Sequence, residues 1–382
     1  VGSLSNMIPV VGRWDDLFVM LEYSKFSNEV MGTITRGLTN PEIRGLVAKW
    51  LTRAKSSKKH LAKIIRTHLK MGPKEYRKML AESTNVVETP MCGKRWNEIK
   101  FEAVPSKAML NYREAFGRNA PQAWSEYTNK LAEGKTKVNA SAVFPHEVMY
   151  PKNPCEAFIV TEAMWKSLPD YIASDKKFLP MIDVSGSMGI QAAGSGHTCM
   201  QVAIALGTYI AERNKNSFKD VFLSFTDRPT LSVIHGKTLP EKQVSITNRC
   251  GYSTNLKLAF EAVIEHAKNH NLTQEDMPDY IVVLSDMQFN SSSFVWNSSL
   301  KSQIDSKFAE VGLKTPNLIW WNLASTEVDF TNAQVDQDCV AMVGGASPAV
   351  IKGVLAAEDF SPLGVMKRTI LSDRYVDLVG RI

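Results

Sequence analysis

The sequence predicts an α plus α/β protein: a helical module over residues 1–176, then a doubly wound, mainly parallel-sheet domain over residues 177–382. Three observations predict it. Apolar residues recur at helical spacing through the first half. Short apolar runs alternate with amphipathic segments through the second. Basic residues gather in the first half, with 27 Lys and Arg against 18 Asp and Glu, whereas the remainder carries 18 against 21. At 382 residues the chain is long enough for two domains, and 44% apolar content is that of a folded globular protein.

Each element has its own justification. In "IRGLVAKWLTRAK", Ile43, Leu46, Val47, Trp50 and Leu51 form an apolar stripe on one helical face. "KHLAKIIRTHLK" repeats it with Leu61, Ile64, Ile65 and Leu69. "GPKEYRKMLAES" and "PQAWSEYTNKLAEG" open on Pro73 and Pro121, and the second closes on Gly134, the usual helix punctuation. Brief loops between these segments point to antiparallel helix pairs. "VFPHEVMYPKNPCEAF", residues 143–158, reads as irregular because of its prolines. Beyond it, "KFLPMID", "DVFLSFT", "TLSVIHG", "DYIVVLSD", "NLIWWNLA" and "CVAMVGG" read as strands. "TCMQVAIALGTYIAERN", "NLKLAFEAVIEHAKN", "KSQIDSKFAEVGL", "SPAVIKGVLAA" and "SPLGVMKRTILSDRYVDLV" read as helices. Near-continuous apolar strands alternating with helices mean a sheet covered on both faces.

Composition excludes several classes. No apolar run is long enough to span a bilayer, and no basic segment precedes an apolar core at the start, so neither a membrane anchor nor a signal peptide is expected. The five cysteines, Cys92, Cys155, Cys199, Cys250 and Cys339, are scattered without a CxxC pair. They read as reduced thiols in a cytoplasmic protein rather than zinc ligands or disulfides.

The stretch that carries chemistry is "FLPMIDVSGSMG", residues 178–189. Asp183, Ser185 and Ser187 follow an apolar strand at alternate positions, where extended side chains share a face. One carboxylate and two hydroxyls are hard oxygen donors suited to Mg²⁺, or to Mn²⁺ or Ca²⁺. Gly186 and Gly189 let the backbone bend around a small ion. "GYSTN" adds Thr254 ahead of a helix, and "VVLSDMQF" ends a strand at Ser285 and Asp286. In open α/β sheets ligands bind beyond the carboxyl ends of the strands, where Asp183 and Asp286 are both expected. Without a cation, the same residues read as a polar turn, a helix cap and a solvated strand end.

Other catalytic readings find less support. The position two residues after Asp183 is Ser185, not the second Asp of a haloacid-dehalogenase phosphatase. No GxxxxGK[ST] is present, no GxSxG surrounds Ser185 or Ser187, and no HExxH occurs. A two-metal nuclease needs more carboxylates than this hydroxyl-rich set offers. His197 reads as a loop or helix-start residue. The chain is therefore not expected to be an enzyme.

Residues 177–382 resemble a von Willebrand factor A domain, a Rossmann-like fold whose metal-ion-dependent adhesion site (MIDAS) is written DxSxS…T…D. "IDVSGSMG", "STN" and "LSDMQF" match it in order. The resemblance implies direct contacts to a divalent cation from Ser185, Ser187 and Thr254, with Asp183 and Asp286 direct or through water. It also implies an open position for an acidic side chain of a protein partner or neighbouring subunit.

The basic half narrows to residues 36–80, with 13 Lys and Arg against Glu42 and Glu75 alone. Lys49, Arg53, Lys55, Lys58, Lys59, Lys63, Arg66 and Lys70 interleave with the two apolar stripes, so their charge is expected to face outward and to suit a polyanion such as RNA. A solvated face usually mixes signs. Trp50, Tyr76, Trp96 and Trp124 read as core anchors. "VVGRWDDLF", "NVVETPMCGKRWNEIKFEAVPSKAMLNYREAF" and "NASAVFPHEVM" resemble blocks of the Ro ribonucleoprotein (TROVE) family and its uncharacterised plant and viral relatives, which pair a HEAT-like helical module with a von Willebrand A domain. That resemblance implies a non-enzymatic scaffold for small or misfolded RNA. The helical half is shorter than the family's complete ring, which implies a partial ring or a homo-oligomer. A metal-dependent protein adaptor without RNA is the alternative.

Overall fold

In the computed structural model the described residues are 4–84, 86–151, 158–172, 176–215, 217–226, 228–248, 256–287, 298–324, 340–346, 362–371 and 375. A helical N-terminal region is followed by a mainly parallel six-stranded sheet with helices. By packing, the chain forms two compact units, Val1–Lys100 with Met366–Ile382, and Phe101–Val365.

The first unit holds α1 (Leu4–Val11), α2 (Leu17–Leu21), α3 (Ser27–Thr39), α4 (Arg44–Trp50), α5 (Lys59–His68), α6 (Pro73–Ser83) and α7 (Glu88–Cys92). Leu17, Phe18, Ile34, Val47, Leu51, Leu61, Ile65, Tyr76 and Leu80 lie within one buried cluster. The stripes expected on α4 and α5 are narrower than their spacing suggests. Val47, Leu51, Leu61 and Ile65 are buried, whereas Leu46 and Ile64 are 49% and 39% exposed. The first helix also stops at Trp50 rather than continuing to residue 55. Leu51 turns extended (φ −59°, ψ 137°), and the buried Tyr76 hydroxyl donates to the Thr52 carbonyl at 3.1 Å. A tertiary bond thus takes a group that another helical turn would have used.

The second unit begins with α8 (Ser106–Asn119), α9 (Pro121–Ala132), α10 (Pro145–Met149) and α11 (Phe158–Lys166). Gly134 ends the run after α9 at φ +70°, a left-handed value that glycine adopts without strain. Within the stretch expected to be irregular, α10 forms because Pro145 opens it and the Glu147 carboxylate accepts the Phe144 N–H at 3.1 Å. These helices are fastened to the α/β part. Trp165 Nε1 donates to Glu212 at 2.7 Å, and the Tyr209 hydroxyl donates to the Pro169 carbonyl at 2.6 Å.

The strands are β1 (Phe178–Ile182), β2 (Val221–Ser224), β3 (Leu231–Val233), β4 (Tyr280–Ser285), β5 (Asn317–Asn322) and β6 (Val340–Gly344). Their order is β3-β2-β1-β4-β5-β6, and every pairing is parallel except β2 with β3. All six match apolar runs of the sequence. The described helices are α12 (Cys199–Arg213), α13 (Leu239–Thr247), α14 (Leu256–Asn269), α15 (Ser298–Ala309) and α16 (Pro362–Ile370). Leu179, Met181, Ile281, Val283, Leu318 and Trp320 pack with Phe260 and Val263 of α14 and Phe308 of α15. The alternate residues Ile182 and Leu284 meet α12 at Gly207. Helices therefore cover both faces. The expected "SPAVIKGVLAA" helix lies outside the described residues. Cys92 and Cys199 are free thiols, and the other three cysteines are also outside them.

Gly207 fixes how closely α12 approaches the sheet. A Cβ there would fall 2.3 Å from Ile182 Cδ1 and 2.6 Å from its Cγ1. In an exposed helix Gly→Ala stabilises by up to about 1 kcal/mol. Here the overpacking should prevail, and Gly207→Ala should cost about 1–3 kcal/mol. A thermal melt checks it, since a higher Tm for the variant would mean that α12 can move off β1.

Candidate functional site

Strand order places the candidate site. β1 leads outward through β2 on one side, and β4 leads outward through β5 on the other. The crevice between the carboxyl ends of β1 and β4 is thus the topological switch point, where such sheets bind ligands. Ile182 is in register with Leu284, and the Asp183 N–H donates to the Leu284 carbonyl at 3.1 Å. Asp183 and Asp286 consequently leave adjacent parallel strands at the same edge, as their strand-end positions imply.

Both carboxylates are buried, Asp183 at 1% exposure and Asp286 at 4%. Asp183 Oδ1 accepts the Ser185 N–H at 2.9 Å, and its Oδ2 accepts the Ser285 hydroxyl at 2.6 Å. The Ser285 oxygen in turn accepts the Met287 N–H at 3.1 Å, and Met287 adopts φ +62° as the chain turns away. Ser185 follows in extended conformation, and Gly186–Gly189 makes one 3₁₀ turn. That turn sets the two hydroxyl oxygens of Ser185 and Ser187 3.1 Å apart on partly exposed residues. A Cβ on Gly186 or Gly189 would meet nothing within 4 Å, so this side of the turn is open.

Burial is the largest influence on Asp183 and raises its pKa. Hydrogen bonds from Ser285 and Ser185 oppose the rise, and the nearby Asp286 carboxylate adds to it. The Cys199 thiol is pushed up to about 12 by burial, then by Asp286 and Asp183. Cys199 is the first residue of α12, whose N-terminus is capped by Thr198 accepting the Gln201 N–H at 3.2 Å. The positive end of that helix therefore lies near the two carboxylates. Among the described residues no three His, Cys, Asp or Glu side chains converge as a metal-binding group. The donors gathered here are two carboxylates and hydroxyls. Thr254 lies outside the described residues. Ser285, noted in the sequence only as a strand end, proves to be a direct partner of Asp183, and its place in register beside that residue was the available signal.

The second candidate surface belongs to the first unit. Lys49, Arg53, Lys55, Lys58, Lys59, Lys63 and Lys70 are exposed, and Arg66 is half-buried. None of the eight joins an ion pair among the described residues. Aromatic rings steady several of the cations. Lys49 Nζ lies 6.0 Å and the Arg13 guanidinium 5.4 Å from the Trp50 ring, and Lys58 Nζ lies 5.9 Å from Phe18. Trp50 and Trp96 are only half-buried, Tyr76 is buried, and Trp124 packs edge-on or tilted within an aromatic cluster with Phe101, Phe116 and Tyr127. Residues 1–100 carry 18 Lys and Arg against 9 Asp and Glu, whereas residues 101–365 carry 23 against 28. The positive excess thus belongs to the first unit.

Residues 178–369 match the model of a domain of unknown function, DUF7788, and the chain belongs to that family. Residues 26–174 match a second domain of unknown function, DUF2828. The uncharacterized protein L728 of Acanthamoeba polyphaga mimivirus is 29% identical over 349 residues, covering 84% of this chain and 59% of that protein. The chain thus spans about six tenths of that relative's length. Among solved structures, the Ro (RSR) protein of Deinococcus radiodurans aligns with a TM-score of 0.41 at 15% identity, over 86% of this chain and 77% of that one.

The raised Asp183 pKa has a measurable consequence. The folded chain holds this proton to higher pH than the unfolded chain, whose carboxyl titrates near 3.8. Stability therefore falls as pH rises between that value and the raised one, by up to about 1.4 kcal/mol per pH unit. Metal-free Asp183→Asn should melt above the native chain at pH 7, and the gap should shrink towards pH 4. Melting curves across that range check it; a gap that widens on acidification would reverse the sign.

Proposed function

We propose that this chain is a cytoplasmic RNA-binding scaffold that also carries a divalent cation at a MIDAS-like site. The observation that carries the reading is the face of residues 49–70, where eight basic side chains occur with no acid between them and seven are exposed. Burying or pairing such charge internally would have produced ion pairs, and none is found for these residues among those described. A phosphate backbone supplies the missing negative charge, and each contact releases counterions. The scaffold performs no chemistry on the RNA.

The cation reading rests on the donor set. Two carboxylates buried close together, with Asp286 adding to the proton affinity of Asp183, are costly unless a positive charge joins them. The groups acting on Asp183 are hydroxyl and N–H donors and a second carboxylate, with no basic side chain among them. Hard oxygens of this kind fit Mg²⁺, or Mn²⁺ or Ca²⁺. Asp183, Ser185, Ser187 and Asp286 would hold it, joined by Thr254. When bound, the cation supplies an electrophilic position that an acidic side chain of a partner, or of another copy in a homo-oligomer, can fill. A second reading, a metal-dependent protein adaptor without RNA, is favoured by this buried pair taken alone.

Calorimetric titration with Mg²⁺ and Mn²⁺ should show one site in the native chain and none in a folded Asp183→Ala variant. Equal binding by both would remove the cation from these residues.

The RNA reading is tested by a fluorescence-anisotropy salt series on a structured and an unstructured RNA. Affinity should fall with salt at a log–log slope near −0.7 per phosphate contact on single strands. Reversing Lys58, Lys59, Lys63 and Arg66 together to Glu should weaken binding to both RNAs and flatten the slope, because phosphate contacts position without specifying. Unchanged affinity and slope would leave the adaptor as the better reading.

A further inference from the structure

The Ser185–Ser187 turn continues into a loop that holds a second group of reactive side chains, apart from both surfaces above. Gln191 and Thr198 pair as an isolated antiparallel bridge, and "AAGSGH" closes the loop between them. Ser195 lies at its tip, partly exposed, between the exposed glycines Gly194 and Gly196. His197 follows at 9% exposure. His146 of α10 arrives from 49 residues upstream at 3% exposure.

The hydrogen bonds fix the tautomer of His197. Its Nε2 lies 2.8 Å from the Tyr150 carbonyl oxygen, which can only accept. Nε2 therefore carries the proton, and Nδ1 presents a lone pair. Ser195 Oγ lies 3.3 Å from that Nδ1, so its hydroxyl can donate there. The oxygen is further held by the His197 backbone N–H at 3.2 Å. His146 Nε2 also lies 3.3 Å from Oγ, with the two imidazole rings 5.0 Å apart and edge to face. Burial, with His197 and Lys107 adding to it, lowers the His146 pKa to about 3. This second ring is therefore neutral at pH 7 and sets no full charge against its neighbour.

We infer that Ser195 is a nucleophilic serine, with His197 as its general base and the Tyr150 carbonyl as the group that orients the base. A nucleophile, a base within hydrogen-bond reach and a third group on the far side of the base form the arrangement that activates a hydroxyl. A separation of 3.3 Å is usual before a substrate tightens the site. The matching electrophile is an acyl ester. Oγ attacks the carbonyl carbon while its proton passes to His197 Nδ1. The carbon–oxygen bond to the leaving group then breaks, and that group departs with the proton. Water cleaves the Ser195 ester by the reverse proton path. The developing oxyanion needs donors, and two backbone N–H groups that flank the serine are candidates. The Ser195 N–H is committed to the Ala192 carbonyl at 3.1 Å, but the N–H groups of Gly194 and Gly196 make no hydrogen bond among the described residues. Gly194 adopts φ +76°, and a Cβ there would meet nothing within 4 Å, so space for the acyl group lies beside the serine.

The test uses the full chain and a fluorophosphonate probe, in which a bond from Oγ to phosphorus forms and the bond to fluorine breaks. Peptide mass mapping should find one adduct, on Ser195. Folded His197→Gln should label at least about 100-fold more slowly, within the usual range for a general base. p-Nitrophenyl acetate should be hydrolysed by the native chain and not by Ser195→Ala. No adduct on Ser195 in the native chain would overturn the inference, as would an unchanged rate in folded His197→Gln. Either result would leave the cluster as a hydrogen-bonded clip between α10 and the loop. The native adduct needs no variant, so a His197→Gln chain that fails to fold does not remove the test.

Discussion

The bond from the Ser285 hydroxyl to Asp183 joins the ends of β1 and β4 where the sheet changes direction. Burying a carboxylate at 1% exposure costs several kcal/mol unless its lone pairs are filled. Ser285 and the Ser185 N–H fill two of them, and only the parallel register of Ile182 with Leu284 brings the first donor within reach. The same register delivers Asp286 to the same edge and aims the following 3₁₀ turn, so that Ser185 and Ser187 lie side by side. The helix that follows is fixed by the sheet as well. The bare backbone of Gly207 lets α12 approach Ile182 and Leu284, and the start of α12 then lies near both acids. The candidate site is therefore a property of one strand pair and the helix packed over it.

Much of this was legible in the sequence because the α/β part obeys simple periodicities. Six apolar runs became six strands, and Asp183 and Asp286 reached one edge, since a carboxylate at the end of a buried strand has few other places to go. Packing against neighbours was harder to read. Leu46 and Ile64 keep helical spacing yet face solvent, because the buried arc is narrower than the stripe. The end of α4 at Trp50 depends on a hydroxyl from Tyr76, more than twenty residues away. α13 was not expected from the sequence, because only Leu239 and Ile246 of the segment are buried and its apolar periodicity is weak; the structure shows it opened by Thr238, whose hydroxyl accepts the Glu241 N–H at 3.4 Å. Ser195 and His197 are near neighbours in sequence, but His146 and the Tyr150 carbonyl reach them only through tertiary structure.

The helices after residue 100 belong by packing with the sheet. Glu212 receives the Trp165 indole and also pairs with Lys242 at 2.6 Å, so one carboxylate links α11, α12 and α13. Lys242 and Glu212 are both largely screened from solvent, so removing either would leave the other charge buried and unpaired, a cost that an exposed pair does not carry. These polar ties fasten the helical segment to the α/β framework in addition to its apolar contacts.

The uneven distribution of charge has a consequence for how the molecule behaves in bulk. Its formal net charge of +6 conceals a first unit well above neutrality and a stretch, residues 101–365, below it. A colloid of this kind does not follow its isoelectric point. It should adhere to cation-exchange resin through one region while the other is repelled, and its copies should attract one another at low ionic strength although their net charges are alike. Added salt shortens the range of both effects to about 10 Å or less. The concentration of simple electrolyte, more than pH, should therefore govern its solubility.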